Sequence, residues 1–346
     1  MKKRALAKVF VVMCMVAVVA LSWQTTAGAA DKALIEAAKK EGKFVWYTSM
    51  PTAGAVAYLD AFKKKYPFLD VSEFFRSTSY KTYSRVNIET QAGKHIADSA
   101  HVALVSANRE WKSKGWLMKY DSPAYDGYPE AIMDRGYWAP MRTFAIAMAY
   151  NKNILSGKQI PTAWWDLTDP KWKGLIGVEG ADSGGQQIEW YVLRKELGEG
   201  FWQKIAANKP RIYSGSGATM NGLLRGEIKV GMYGMGFAVY RQRELEGAPI
   251  EGIWPKEGVP INIAPLAIMA SAPHPNAAKL FQDWALSQEG QTEMVKLVGA
   301  YSGRSDVPSA KGNPKWGTFK ALYVDDWDKF NESTEDFKKV WQSIKK

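Results

Sequence analysis

Cysteine and histidine are scarce in this chain of 346 residues, which contains one cysteine and three histidines. Cys14 lies within the apolar segment 9–21, so the chain beyond that segment has no disulfide, thiolate metal ligand or cysteine nucleophile. His95, His101 and His274 lack the spacing of a metalloprotease helix, and no Gly-x-Ser-x-Gly elbow is present. These absences make an enzyme the less favoured class.

Long runs of a single charge are also missing. The net charge is +11, and the first thirty residues contribute four of the positive charges and no acidic residue, which leaves +7 for the rest. The basic residues alternate with acidic ones, as is typical of solvated helix faces, so nucleic-acid binding is disfavoured while an anionic ligand is compatible. No internal repeat is visible, which argues against a structural or adhesive protein.

The N-terminal thirty residues have the pattern of a secretory signal peptide. Four basic residues accompany the apolar segment 9–21, and Ala27-Gly28-Ala29 offers a cleavage site. An uncleaved membrane anchor is the alternative. Cleavage would leave 316 residues, a size that suits two domains.

After residue 31, predicted strands alternate with predicted helices. Strands are expected over residues 44–48, 71–75 and 98–106, each followed by a helix. This alternation predicts an α/β fold with mostly parallel sheets flanked by helices. Ligands of such sheets bind at the carboxyl ends of the strands. The candidate residues there are Ser49, Arg76, Ser77, Ser79 and Ser106.

Two long apolar strands, 138–151 and 261–269, predict that the chain crosses twice between two lobes. We expect lobe 1 to comprise residues 31–150 and 262–310, and lobe 2 residues 151–261. Residues 311–346 are predicted to form C-terminal helices that pack on the lobes.

The segment 211–237 contains a glycine-rich loop, Ser214-Gly215-Ser216-Gly217, before a predicted helix and strand. Glycines allow successive N–H groups to converge, and a helix start adds unpaired donors that suit phosphate or carboxylate. An ordinary turn between loop and helix is the alternative.

A series of short motifs along the chain resembles, in its order, the motifs of a known family. They are Tyr47-Thr48-Ser49, Arg76-Ser77-Thr78-Ser79, Ala92-Gly93-Lys94, Ala149-Tyr150-Asn151, Trp164-Trp165-Asp166-Leu167, Lys171-Trp172-Lys173-Gly174, Tyr213-Ser214-Gly215-Ser216, Arg225-Gly226-Glu227, Ala264-Pro265 and Pro275-Asn276-Ala277-Ala278. Together they resemble the extracellular solute-binding proteins of the iron-type branch that serve bacterial ABC importers. The resemblance implies a monomeric periplasmic protein of the type II binding fold, in which the two crossing strands form a hinge near Asn151 and Asn262. Closure of this hinge would trap the ligand between the lobes. It also implies a membrane permease and a cytoplasmic ATPase as partners.

The sequence departs from this family where ferric-ion members have adjacent tyrosines. Counting from Val230-Gly231, that position is Gly236-Phe237, which cannot bind a metal. We therefore expect no metal and no cofactor. Ferric-ion binding through Tyr233 or Tyr240 with a synergistic anion is the alternative.

The remaining cleft chemistry favours a small organic or phosphorylated anion. Arg76 and Arg142 can each make forked hydrogen bonds, although surface ion pairs are their alternative. The serines supply hydroxyls, with helix N-caps as the alternative. Besides the strand-end residues named above, the predicted ligand-binding residues are Arg142, Ser183, Gly184, Gly185, Ser214, Gly215, Ser216, Gly217, Tyr233 and Phe237. A phosphonate, sugar phosphate, carboxylate or aromatic acid would each fit this set.

Overall fold

The computed structural model describes residues 31–181 and 183–344, apart from the side chains of residues 233–235. The predicted signal peptide therefore lies outside the described residues. Within the described ranges, none of the helices has the length and apolar character that a membrane span needs.

The first part of the chain alternates helices and strands, as predicted. Its elements are α1 (Lys32–Glu41), β1 (Trp46–Thr48), α2 (Thr52–Lys65), β2 (Phe74–Arg76), α3 (Ser79–Gln91), β3 (Ser99–His101), α4 (Val105–Ser113) and the long β4 (Trp138–Asn151). The predicted strand over 98–106 was too long, since β3 ends at His101 and α4 begins at Val105. A short apolar run does not by itself distinguish a strand from a buried helix start.

The chain then continues through β5 (Ile176–Glu179), α5 (Gly184–Leu197), α6 (Gly200–Ala207), β6 (Arg211–Tyr213), α7 (Ser216–Leu224), β7 (Val230–Met235), α8 (Gly236–Tyr240) and β8 (Ile250–Ile253). It returns through β9 (Val259–Ile268), α9 (Pro275–Leu286) and α10 (Gln288–Val298), and ends with β10 (Ala321–Leu322), α11 (Trp327–Glu332) and α12 (Thr334–Ile344).

The strands form one hydrogen-bonded path in the order β2-β1-β3-β9-β4-β7-β5-β6. Strands β1, β2 and β3 are mutually parallel, and so are β5, β6 and β7. Both β9 and β7 run antiparallel to β4, and β3 runs antiparallel to β9, so the two parallel groups point in opposite directions. The first group is joined through β9 to residues 138–145 of β4 and the second through β7 to residues 146–150, so their carboxyl ends face each other across the space between two lobes. The predicted two-lobed α/β fold is confirmed.

Strand β4 connects the two groups. Residues 138–145 of β4 pair with β9, whereas residues 146–151 pair with β7 and β8. The exchange of partners falls between Ala145 and Ile146. The lobe boundaries at 150/151 and 261/262 stay predictions.

The C-terminal segment packs on the second group of strands through aromatic side chains. The indole N–H of Trp341 donates to the Glu179 carbonyl at 2.7 Å, and its ring lies 5.3 Å from that of Trp202 and 4.6 Å from that of Phe337. Trp327 packs against the buried clusters of both lobes. The segment contains the short strand β10 as well as the predicted helices.

We expect Trp341→Ala to lower the free energy of unfolding by about 3–5 kcal/mol, because it removes a fully buried ring and its indole hydrogen bond. Chemical denaturation monitored by circular dichroism would measure the change. Trp165→Ala is the matched control, since Trp165 is 38% exposed. An equal loss of stability in the two variants would show that α12 is not part of the core of this lobe.

Candidate ligand-binding site

Arg142 lies on β4 and is only 2% exposed. Its Nε donates to His101 Nε2 at 3.2 Å, and its guanidinium carbon lies 4.7 Å from the ring centroid of Phe144. Burial, together with the positive charge of Arg76, lowers the pKa of Arg142 to about 9, so it is charged at neutral pH. No carboxylate among the described residues forms an ion pair with Arg142 or Arg76. The buried charge is thus left for another group to neutralise.

A chain of hydrogen bonds joins the two guanidinium groups. His101 Nδ1 lies 2.8 Å from Thr48 Oγ1, which also accepts from the Met50 N–H at 3.0 Å. The Met50 carbonyl accepts from Arg76 Nε at 2.9 Å. These residues come together because β1, β2 and β3 are neighbours and Thr48 is in register with both Arg76 and His101 at their carboxyl ends.

Two serine hydroxyls lie at the same edge. Ser49 Oγ and Ser79 Oγ both accept a hydrogen bond from the Ala103 N–H, at 3.3 and 3.2 Å. Each hydroxyl also carries a hydrogen that it can donate. Ser77 is anchored here by its backbone, since its N–H donates to the Thr48 carbonyl at 3.2 Å.

Two aromatic rings form an apolar wall beside Arg142. The Phe237 ring, at the start of α8, lies 5.5 Å from the Phe144 ring. Asn262 pairs directly opposite Phe144, so the two side chains lie on one face of the sheet. The amide oxygen of Asn262 is buried and has no hydrogen-bond partner among the described residues, so it offers a polar contact at this position.

The N-terminus of α5 approaches this edge from the other lobe. A Cβ atom added to Gly184 would lie 3.2 Å from Leu104 Cδ2 and 3.7 Å from Tyr80 Cε2. The buried Gly185 follows in the same turn. Ser183 caps the helix, because its Oγ accepts from the Gln186 N–H at 3.3 Å and donates to Glu179 Oε2 at 2.6 Å. In this structure the Ser183 hydroxyl is therefore a helix N-cap, which was the alternative to direct ligand contact.

Other predicted residues lie further from the arginines. Ser106, in the first turn of α4, lines a separate cavity of about 590 Å³ with Tyr80 and Gln187. The loop of Ser214, Gly215, Ser216 and Gly217 follows β6, which is the third strand from β4 along the path. At the usual spacing between strands it lies roughly 14 Å to the side. The loop lies at the carboxyl end of its own strand, as predicted ligand-binding residues do, but to the side of Arg142.

Of the two tyrosines in the ferric-ion alternative, Tyr240 is the one whose side chain the structure describes. The side chain of Tyr233 lies outside the described part of the chain. The hydroxyl of Tyr240 donates to the Lys296 carbonyl at 3.2 Å, and its ring packs with Val295 and Val307. In this arrangement Tyr240 is part of the protein core.

Sequence reasoning missed four residues of the site, namely Thr48, His101, Phe144 and Asn262. Thr48 and His101 are the last residues of their strands, and that position was the available signal. Phe144 lies two residues after Arg142, which places both side chains on one face of a strand. The partner of Phe144 depends on the register between β4 and β9, which no local pattern reveals.

Comparison with known proteins places this geometry in a family. The profile described as bacterial extracellular solute-binding protein matches residues 99–332. An uncharacterised protein of Haemophilus influenzae is 29% identical over 290 residues, which covers 79% of this chain and 81% of the relative.

Two solved structures share the fold. Iron-bound HitA from Pseudomonas aeruginosa has a TM-score of 0.75 at 18% identity and covers 87% of this chain and 99% of its own. AfuA from Actinobacillus pleuropneumoniae, with exogenous fructose-6-phosphate bound, has a TM-score of 0.73 at 24% identity and covers 88% of this chain and 99% of its own. AfuA is described as a periplasmic binding protein, which is a transport component rather than an enzyme. Because the family profile spans more than half of the sequence, this chain belongs to the bacterial extracellular solute-binding proteins.

Proposed function

We propose that this protein is the periplasmic substrate-binding component of an ABC importer and that it captures a small phosphorylated or carboxylated organic anion in the cleft between its lobes. The observation that carries the proposal is the buried guanidinium of Arg142, which has a second guanidinium nearby and no carboxylate partner among the described residues. A protein that maintains such a charge loses stability unless a ligand neutralises it.

Charge decides the ligand class. Two neighbouring positive groups repel a cationic solute and attract an anion, which can accept several N–H bonds from the guanidinium groups at once. Ser49 and Ser79 add hydroxyl donors at the rim. Phosphate and carboxylate are the common biological groups that match such a set of donors.

The surroundings favour an organic anion over a bare inorganic ion. The rings of Phe144 and Phe237 offer an apolar wall, and the Asn262 amide offers a polar contact for a hydroxyl group of the ligand. A sugar phosphate has both kinds of surface. The fructose-6-phosphate named for AfuA agrees with this chemistry, while the ligand of the present chain is inferred from its own residues.

Ferric-ion binding with a synergistic anion is the competing function, and the iron named for HitA keeps it relevant. Tyr240 gives it no support, because its hydroxyl is bonded to a backbone carbonyl within the core. A visible charge-transfer band after incubation with ferric citrate would favour that function over the anion cleft.

Delivery to the importer follows from closure of the cleft. A ligand that contacts Arg142 and Arg76 from one lobe and the N-terminus of α5 from the other would stabilise the closed form. We expect the protein to act as a monomer that presents the closed form to a membrane permease, with a cytoplasmic ATPase driving uptake. A cleavable signal peptide would bring it to the periplasm.

The anion cleft predicts opposite effects of Arg142→Met on stability and on binding. The ligand-free variant should melt at a higher temperature than the wild type, because a buried charge without a carboxylate partner is removed. The rise in melting temperature that sugar phosphates or organic acids give the wild type should disappear. Thermal-shift measurements across a panel of phosphorylated sugars, organic acids and ferric salts would test both effects.

Arg135→Met is the matched control for this experiment. Arg135 is exposed and pairs with Asp121 and Asp126, so its replacement should leave the response to ligand unchanged. If an anionic ligand still raises the melting temperature of Arg142→Met, Arg142 does not bind the ligand and the proposed anion cleft is wrong.

The contact at Gly184 predicts a second effect, on closure. In Gly184→Leu the added side chain would meet Leu104 and Tyr80 of the other lobe only when the cleft is closed. We expect a nearly unchanged melting temperature without ligand, an affinity about tenfold weaker, and a larger radius of gyration in the presence of ligand.

Small-angle X-ray scattering and calorimetric titration would measure these quantities. Gly200→Leu provides the control, because Gly200 also begins a helix but nothing lies within 4 Å of its added Cβ. Full closure and full affinity in Gly184→Leu would mean that α5 does not meet the first lobe in the bound form.

A further inference from the structure

The two guanidinium groups of the site are connected through His101. An arginine side chain has five N–H donors and no acceptor. Arg142 uses Nε on His101, and Arg76 uses Nε on the Met50 carbonyl. The terminal nitrogens of both side chains are then oriented by these bonds and can face a shared ligand.

The contacts of His101 determine where its proton lies. Because a guanidinium can only donate, the Nε2 atom that faces Arg142 must accept and carries no proton. The proton of the neutral ring is therefore on Nδ1, which donates to Thr48 Oγ1 at 2.8 Å. A doubly protonated ring would direct an N–H at the N–H of Arg142.

The surroundings of His101 favour the neutral form. The ring is fully buried, with Arg142 on β4 and Arg76 on β2 as the charged groups of its hydrogen-bonded chain. The neighbours from the other strands are uncharged, since Leu266 of β9 is its pairing partner and the Trp46 ring of β1 lies 5.6 Å away. Burial and the charge of Arg142 hold the pKa of His101 well below its ordinary value of 6.5.

We propose that His101 is a positioning residue, held as the neutral Nδ1–H tautomer, that joins Arg142 through Thr48 and Met50 to Arg76 so that both guanidinium groups clamp one dianionic group of the ligand. This inference rests on the proposed function and narrows it. Two positive charges that lack an acidic partner in the described part of the chain match a dianion such as a phosphate monoester better than a single carboxylate. His101 itself contributes orientation rather than charge.

Calorimetric titration of the full chain with inorganic sulfate, inorganic phosphate and acetate tests the proposal. Sulfate keeps its double charge throughout the neutral range, so its binding reports the protein alone. We expect sulfate and phosphate to bind at least about tenfold more tightly than acetate, because each guanidinium adds charge-assisted bonds. Equal affinities for sulfate and acetate would overturn the assignment to a dianion.

Variants of His101 separate positioning from packing. The amide of His101→Gln can accept from Arg142 and donate to Thr48, so this variant should keep sulfate affinity within about threefold of the wild type. His101→Leu cannot do either and should lose about tenfold or more. His95→Gln, at an exposed histidine, is the control and should bind as the wild type does.

Nitrogen-15 chemical shifts of the imidazole rings give a readout that folding alone would not change. With only three histidines in the sequence, the signals can be assigned from the variants. At neutral pH we expect His101 with a protonated Nδ1 and a bare Nε2. A protonated Nε2 would overturn the proposal whatever the binding data show.

The pH dependence of unfolding gives a further check. Since the pKa of His101 is lowered in the folded state, the unfolded chain takes up a proton that the native protein excludes as the pH falls below about 6.5. Wild-type stability should decrease through that range, and His101→Gln should decrease less. Parallel curves for the two proteins would contradict a neutral buried His101.

The outcomes distinguish this inference from the function on which it rests. If neither the wild type nor any variant binds an anion, the proposed function fails while the tautomer is still measured. If the wild type binds sulfate and Arg142→Met does not, but His101→Leu binds as tightly as the wild type, the anion cleft stands and the role of His101 is wrong. If folded His101→Gln binds as poorly as His101→Leu, the hydrogen-bonded connection is also wrong.

Discussion

The antiparallel pairing of β4 with β9 is the constraint on which the rest of this structure depends. Because the first group of parallel strands is joined through β9 to residues 138–145 of β4 and the oppositely directed second group through β7 to residues 146–150, the carboxyl ends of the two groups face one another. The same pairing places Phe144 opposite Asn262 and sets Arg142 next to His101 at the end of β3. The register between β4 and β9 therefore positions residues of the site as well as the strands of the fold.

Burial gives the site its chemistry. At 2% exposure, and with no carboxylate partner among the described residues, the charge of Arg142 raises the free energy of the folded protein. Arg76 increases this cost by repulsion. Neutral groups, His101, Thr48 and the Met50 peptide, hold the two guanidinium groups without neutralising them. Under the proposed function, the protein exchanges stability for affinity toward an anion.

Part of the site could be predicted because strand ends are visible in the sequence. Ser49, Arg76 and Ser79 follow predicted strands, and the structure brings them to one edge with Arg142. The prediction gave equal weight to Ser183, whose hydroxyl caps α5, and to the glycine-rich loop 214–217, which follows an outer strand. Residue type indicates which side chains can bind an anion. How far each of them lies from Arg142 across the sheet depends on the order of the strands, which is set by contacts between distant parts of the chain.

The α/β class, the two lobes and the family could be predicted before the structure was known, because alternating strands and helices and an ordered series of motifs are local features. The sequence also shows which functional groups are available, namely arginines, serines and hardly any histidine or cysteine. The burial of Arg142 beside Arg76, and the hydrogen bond that Arg142 Nε donates to His101 Nε2, could not be predicted from the sequence. Those contacts join residues far apart in the chain, and their geometry depends on packing and register.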